Sequence, residues 1–393
     1  MLYGLFELPV WGYALIALGL THVTIASVTI YLHRHQAHRG MDLNPAIAHF
    51  FRFWLWLTTG MVTAEWVAVH RKHHAKVETE NDPHSPQVRG LHAVLWGGAV
   101  LYKAALKDPD LVATYAHGTP NDWIERHVYR PYSYSGLVLM LFIDLLCFGV
   151  VGIGIWAVQM LWIPFWAAGV VNGVGHALGY RNFEPPDAST NIVPLGILIG
   201  GEELHNNHHA FPSSAKFAIK SWEFDLGWVY IRILQALRLA RVKRIAPRPA
   251  ILDKADVDME TVAAVVRARV HVLAIYARQV LLPTLREELQ CPDVSCQRML
   301  KRARRALLRE QSLLDRRAEA RLEDALAQSQ RLMTVYQFRL RLQRLWSSSN
   351  TSHEVLLKGL REWCAQAEIS GIQTLQEFAR GLRGFTVVQS ALR

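Results

Sequence analysis

Between Ser135 and Tyr180 the chain runs 46 residues with a single Asp, Glu, Lys or Arg, namely Asp144. A bilayer core about 30 Å thick takes roughly 20 apolar residues per spanning helix, so this stretch suffices for two spans and a tight turn. Spans at 135–156 and 158–180 are expected, with the turn near Gly154–Gln159. Leu8–Leu32 supplies 25 further residues free of Asp, Glu, Lys and Arg and reads as another span. No basic region precedes it and no small-residue cleavage site follows, so a retained membrane segment is expected, not a removable leader. Residues 46–69 are also apolar but are interrupted by Arg52 and Glu65. Lys and Arg mark the cytoplasmic side, and here they fill 70–130 and the chain beyond 216. Both segments fall on that side only if 46–69 does not cross. Three spans, an outside N-terminus and re-entrant or interfacial segments at 46–69 and 191–200 are therefore predicted.

Composition points the same way, because 51% apolar residues, 19% charged residues and 13 Trp in 393 are unusual for a wholly soluble protein. Four cysteines, Cys147, Cys291, Cys296 and Cys364, form neither a disulfide framework nor a zinc module, which excludes a disulfide-stapled extracellular domain. Past Arg248 the character changes. Residues 251–393 carry 23 Lys and Arg against 16 Asp and Glu, and 297–346 has neither Gly nor Pro, a long-helix composition. Pro247 and Pro249 mark the boundary. The predicted fold is an all-α integral membrane protein. A membrane domain over 1–245 has short transmembrane helices and a helical cytosolic cap, and a basic, soluble helical region occupies 250–393. The run Lys301-Arg302-Ala303-Arg304-Arg305 reads as a solvated helix face that can also meet anionic lipid headgroups.

The 18 histidines are clustered. His70, His73 and His74 form HxxHH, and His205, His208 and His209 form a second. Steps of three and four residues return to one helix face, so each triplet aims three imidazoles at one place. His33, His35 and His38 end the first span. Five residues separate His33 from His38, about 140° of α-helical rotation, so the two share a target only near a helix end or across more than one metal. His176 stands four residues after Asn172, on one face with it. Lone histidines such as His22, His49 and His92 read as polar tips at headgroup level. The boxes, all on one predicted side of the membrane, read as a metal site. Imidazole shells suit Zn, Cu, Fe or Ni, and eight or more histidines overfill one zinc. Two metals are the economical reading; redox metals suggest oxygen chemistry, and dizinc hydrolysis stays open on the ligand set alone.

Read together, HRHQAHR at 33–39, HRKHHAK at 70–76 with Glu78-Thr79 and Asp82-Pro83-His84, Asn172 with His176, and GEELHNNHHAFP at 201–212 resemble the stearoyl-CoA (delta-9) desaturase type of membrane fatty acid desaturase, over roughly residues 15–245. The resemblance implies a non-haem di-iron centre held by His33, His38, His70, His73, His74, His176, His205, His208 and His209. Asn172 would hold a water at one metal, and Trp66 would shape the bend of an acyl tunnel. His35 falls at a variable position and is not counted. The implied reaction is O2-dependent formation of a cis double bond, usually at C9, with O2 reduced to water. The family commonly has four spans where three are read here. Val67, Ala68 and Val69 stand where animal members have charged contacts to acyl-CoA, which favours an acyl chain carried on a membrane lipid. No haem motif, iron–sulfur cysteine set or nucleotide-binding GxGxxG accompanies the boxes. Electrons are thus expected from a separate donor, a ferredoxin or a flavin/iron–sulfur reductase docking on the basic tail. A bacterial cytoplasmic membrane, with the site on its cytoplasmic side and no nucleic-acid partner, completes the expectation. A histidine-box hydroxylase of alkanes, sterols or carotenoids is the alternative. A non-catalytic metal-binding membrane protein fits less well, since transporters place ionisable ligands within their spans.

Overall fold

A computed structural model describes residues 4–346 and 352–388. The described residues divide into two compact units, one of 4–181 with 187–246, the other of 182–186 with 247–346 and 352–388.

The first unit is built on helices. Helix α1 (Val10–Ala37) and helix α6 (Val151–Val174) are long and apolar enough to cross a bilayer by length and composition. Helix α2 (Pro45–Thr59) starts with the Asn44 side chain accepting from Ala46 N and with Pro45 in the first turn, both good helix starters. It ends at Gly60, whose φ of 64° a side chain would resist, and helix α3 (Thr63–Lys76) follows. The apolar stretch 46–69 is thus two helices meeting at a glycine. Helix α4 (Leu91–Ala105) precedes the apolar hairpin of helix α5 (Ser135–Phe148) and α6.

The hairpin corrects the expected boundaries. It turns at Gly149, with φ 62°, and residues 154–159 continue as helix. Gly154, Ile155, Trp156, Ala157, Val158 and Gln159 continue the winding, whereas Gly149 adopts the positive φ that the reversal needs. Helix α5 therefore has 14 residues, about 21 Å at 1.5 Å per residue, and two helices instead of three meet the length for a span among the described residues. Residues 191–200 contain no helix. Asn191 bridges Tyr180, and Leu195–Gly196 pairs in parallel with Phe224–Asp225. Helix α7 (His205–Ala210) and helix α8 (Leu226–Ala236) complete the unit, with Met41–Leu43 antiparallel to Ala240–Val242.

One buried ion pair ties these pieces together. The Arg34 guanidinium donates to both oxygens of Asp225 (3.1 and 2.9 Å) and to the carbonyls of Ala215 and Gly200. It also lies 3.8 Å over the Phe217 ring. Asp225 in turn caps α8 by accepting from Trp228 N. A bidentate pair of this kind fixes geometry as well as charge.

In the second unit the run 297–346 is not one helix. It falls into Val294–Leu308, a short turn at Gln311–Leu313, Arg316–Gln328 and Gln330–Leu345. The reason is side-chain capping: Asp315 accepts from Ala318 N and Ser329 from Leu332 N, and these residues compete for the backbone wherever they occur. The core is aromatic. Trp363 donates to Phe338 O (2.9 Å), Tyr276 to Val335 O (2.6 Å), and Phe378 packs edge-on against both rings. Arg248–Ile251 pairs antiparallel with Phe385–Val388, joining the two ends of the unit. Lys301, Arg302, Arg304 and Arg305 are exposed while Leu300, Ala303, Ala306 and Leu307 are buried, so the basic run is a solvated helix face.

Candidate metal centre

The winding of α1 brings its two histidines together. From Ser27 to Ala37 the helix is π-wound, and His38 N donates to His33 O (3.0 Å), the five-residue reach of that winding. Residues five apart then lie nearly above one another, and the His33 and His38 rings are 5.0 Å apart. The separation that an α-helix would have made divergent becomes convergent. A second π-wound stretch, Pro164–Val174, leads into His176.

Nine imidazoles gather in two groups. His33, His38, His70, His74 and His208 form one, and His73, His176, His205 and His209 form the other; within each group the ligand nitrogens lie within 4.8 Å of one another. These are the nine positions read from the motifs. The nitrogens that meet are Nε2 atoms: His33 and His208 at 3.1 Å, His38 and His70 at 2.8 Å, His74 and His208 at 2.9 Å, His176 and His205 at 3.0 Å. Two ligands at about 2.1 Å from one ion and at right angles lie about 3.0 Å apart, so the spacing fits a metal centre. The buried Nε2 atoms of His73 and His209 have no hydrogen-bond partner, which a cation would satisfy.

Ionisation agrees with a ligand role. His38, His70, His74, His205, His208 and His209 are held well below the usual histidine range, first by burial and then by the neighbouring imidazoles. Metal ligation requires the neutral ring.

Four carboxylates lie behind the rings. His33 Nδ1 donates to Glu202 (2.7 Å), His73 to Asp82 (2.9 Å), His176 to Glu78 (3.2 Å) and His209 to Asp187 (3.1 Å). Such contacts fix the tautomer and turn the Nε2 lone pair toward the metal. Burial alone would raise Asp82, yet the hydrogen bond and charge of His73 bring it down to about 2. Burial would likewise raise Glu202, and His33 with Arg34 holds it below the usual carboxylate range. Glu78 reaches His176 from a left-handed backbone conformation, φ 62°, the kind of local strain that collects at functional sites.

Sequence reasoning did not single out these carboxylates. Glu78, Asp82 and Glu202 stood inside the recognised blocks, so their signal was present; Asp187 lies in none. His84 stands in the same block as Asp82, and the motifs assign it no role. Its ring stacks on His73 at 4.4 Å, and with His73 and Asp82 it makes a third possible cation group.

A cavity of about 450 Å³ opens beside the histidines, and Val28, His33, Trp66, Asn172, Met160 and Ile163 are among its lining residues. The Trp66 ring stacks on His70 with centroids 4.9 Å apart. Asn172 lines the cavity. His35 turns away, its Nδ1 meeting Met41 O at 3.1 Å. His22 meets the Tyr230 hydroxyl at 2.5 Å.

Residues 9–232 match the family model described as "Fatty acid desaturase", more than half of the chain. The chain belongs to the fatty acid desaturase family. Its histidine clusters could hold metal. A protein of Arabidopsis thaliana named "Probable lipid desaturase, chloroplastic" is 32% identical over 237 residues, 58% of this chain and 62% of that protein. An "sn-1 stearoyl-lipid 9-desaturase" of Anabaena variabilis is 29% identical over 241 residues, 61% of this chain and 86% of the relative. An "Icosanoyl-CoA 5-desaturase" of Limnanthes douglasii is 32% identical over 226 residues, 55% of this chain and 60% of the relative. This chain thus spans less than two thirds of two of these desaturases. Residues 260–386 match a different model, described as "Transposase".

Proposed function

We propose that this desaturase inserts a cis double bond, at C9, into a saturated acyl chain carried on a membrane lipid, using two iron ions held by the nine histidines. The observation that carries the reading is the convergence of nine buried or half-buried imidazoles, in groups of five and four, beside the apolar cavity. The balance is that two hydrogens leave neighbouring methylenes, O2 takes them with two further protons and two electrons, and two waters form. Bound iron would supply the activation of O2 that removal of an unactivated hydrogen requires.

The chain's own residues do the rest. The imidazoles present Nε2, and the carboxylates behind four of them hold Nδ1–H. The cavity wall orients the acyl chain and excludes water, and Trp66, fixed by its stack on His70, shapes the wall beside the ligands. Asn172, in the cavity wall, would hold a water at one of the two metals. The electrons come from a separate ferredoxin or flavin/iron–sulfur reductase.

The carrier reading rests on what remains for a phosphate to meet. Arg71 is engaged by four backbone carbonyls, those of Ala37, Tyr115, His117 and Gln36. Val67, Ala68 and Val69 are buried, Ala68 and Val69 within an apolar cluster with Leu111 and Ala116. Among the described cavity residues Lys103 is the one Lys or Arg. We place the protein in a bacterial cytoplasmic membrane, with α1 entering from outside, the α5–α6 hairpin leaving and returning, and 46–69 not crossing. Expression in a host lacking such unsaturation tests the reaction: a new monoene of fixed position supports it, and an alcohol without a monoene refutes it. Purified enzyme with a reducing system, given labelled acyl-CoA and labelled phospholipid in parallel, tests the carrier. Double bonds appearing first in acyl-CoA would overturn that part.

A further inference from the structure

The four carboxylates are shared unequally. In the four-histidine group, three rings are backed: His73 by Asp82, His176 by Glu78 and His209 by Asp187. In the five-histidine group one ring is backed, His33 by Glu202. Among the described residues no carboxylate bonds to His38, His70, His74, His205 or His208. All four acids are buried or nearly so, with side-chain exposure of 0% for Asp82, 6% for Asp187, 7% for Glu202 and 11% for Glu78, so solvent screens them little. The extra imidazole of the larger group is a neutral ligand and serves ions of either valence. Carboxylates discriminate by charge. Each attracts a trivalent ion more strongly than a divalent one at the same place, and each makes the ring it holds a stronger donor.

We propose that the two metal positions are electronically inequivalent, with the four-histidine position the more electron-rich and the first to become ferric. The inference rests on the two-iron reading. One-electron oxidation of the loaded diferrous pair then removes the electron from that position, leaving a ferric ion at the four-histidine group and a ferrous ion at the five-histidine group.

The test is an anaerobic titration of the full-length, diferrous protein in detergent with ferricyanide, which takes one electron per iron and becomes ferrocyanide. Iron content is measured first, and the half-oxidised species is followed by electron paramagnetic resonance. Glu78→Gln keeps the acceptor oxygen and removes the charge, and Asp187→Asn does so at a second ring. Each is expected to raise the lower potential by about tenfold in the oxidation equilibrium, about 59 mV for one electron. The half-oxidised species then becomes less abundant. Glu202→Gln acts on the other position and is expected to raise the upper potential, making the half-oxidised species more abundant. Responses of the same sign on both sides, or changes below twofold on both, overturn the inference while leaving a two-iron enzyme intact. Wild-type protein that holds fewer than two irons overturns the two-iron reading itself.

Discussion

Replacing Asp225 with Asn removes one charge from the centre of the first unit while leaving an oxygen to cap α8. Arg34 and Asp225 have side-chain exposures of 0% and 1% and meet at 2.9 Å, so Asp225→Asn leaves a fully desolvated guanidinium without its hydrogen-bonded carboxylate partner. Removing one partner of a buried pair costs about 3–5 kcal/mol. Asn is as good an N-cap as Asp, so no further loss arises at Trp228. For a unit of this size, about 1 kcal/mol corresponds to roughly 2–4 °C in Tm, which puts the expected drop at roughly 6–20 °C by the same conversion. Tryptophan fluorescence of detergent-purified protein during heating reads it. The control is Asp42→Asn. Asp42 pairs with Lys243 and Arg241 at the surface, with 44% of its side chain exposed, and such pairs contribute at most about 1 kcal/mol. Asp225→Asn within 3 °C of wild type, or no worse than Asp42→Asn, would show that the Arg34 charge is compensated otherwise and that the pair does not hold the unit together.

Three further outcomes are expected. His208→Ala, which deletes an imidazole whose Nε2 lies within 3.1 Å of two others, should leave less than a tenth of wild-type monoene at equal protein level; more than that counts against His208 as a ligand. Burial pushes the Cys364 thiol up to about 12, so thiolate forms only as pH rises well above the ordinary value. A thiol-specific disulfide reagent at pH 8 should leave Cys364 unmodified until denaturant is added, and since the raised value favours the neutral form, the second unit should lose stability as pH climbs from 9 toward 12. A reporter fused after Arg393 should be active only in the cytoplasm; activity confined to the periplasm would refute the orientation assigned from the Lys and Arg distribution.

The sequence by itself determined which residues could meet at the metal centre. HxxHH repeats the helical period, so His70, His73 and His74, and likewise His205, His208 and His209, share a face whatever surrounds them. It also determined the apolar helices, since a run such as 135–180 has no polar face with which to do anything else. What only the tertiary structure decided is how these faces are divided and backed. His33 and His38 converge because α1 is π-wound from Ser27, a winding invisible to a count of 3.6 residues per turn. The partition into groups of five and four separates His73 from His70 and His74, because at about 100° per residue His70 and His74 lie about 40° apart around the helix while His73 and His74 lie about 100° apart. Asp187, which backs His209 from 22 residues away in sequence, could not be read from spacing at all. Carboxylate support depends on where a loop closes in space, and loop closure carries no periodic signal in the chain.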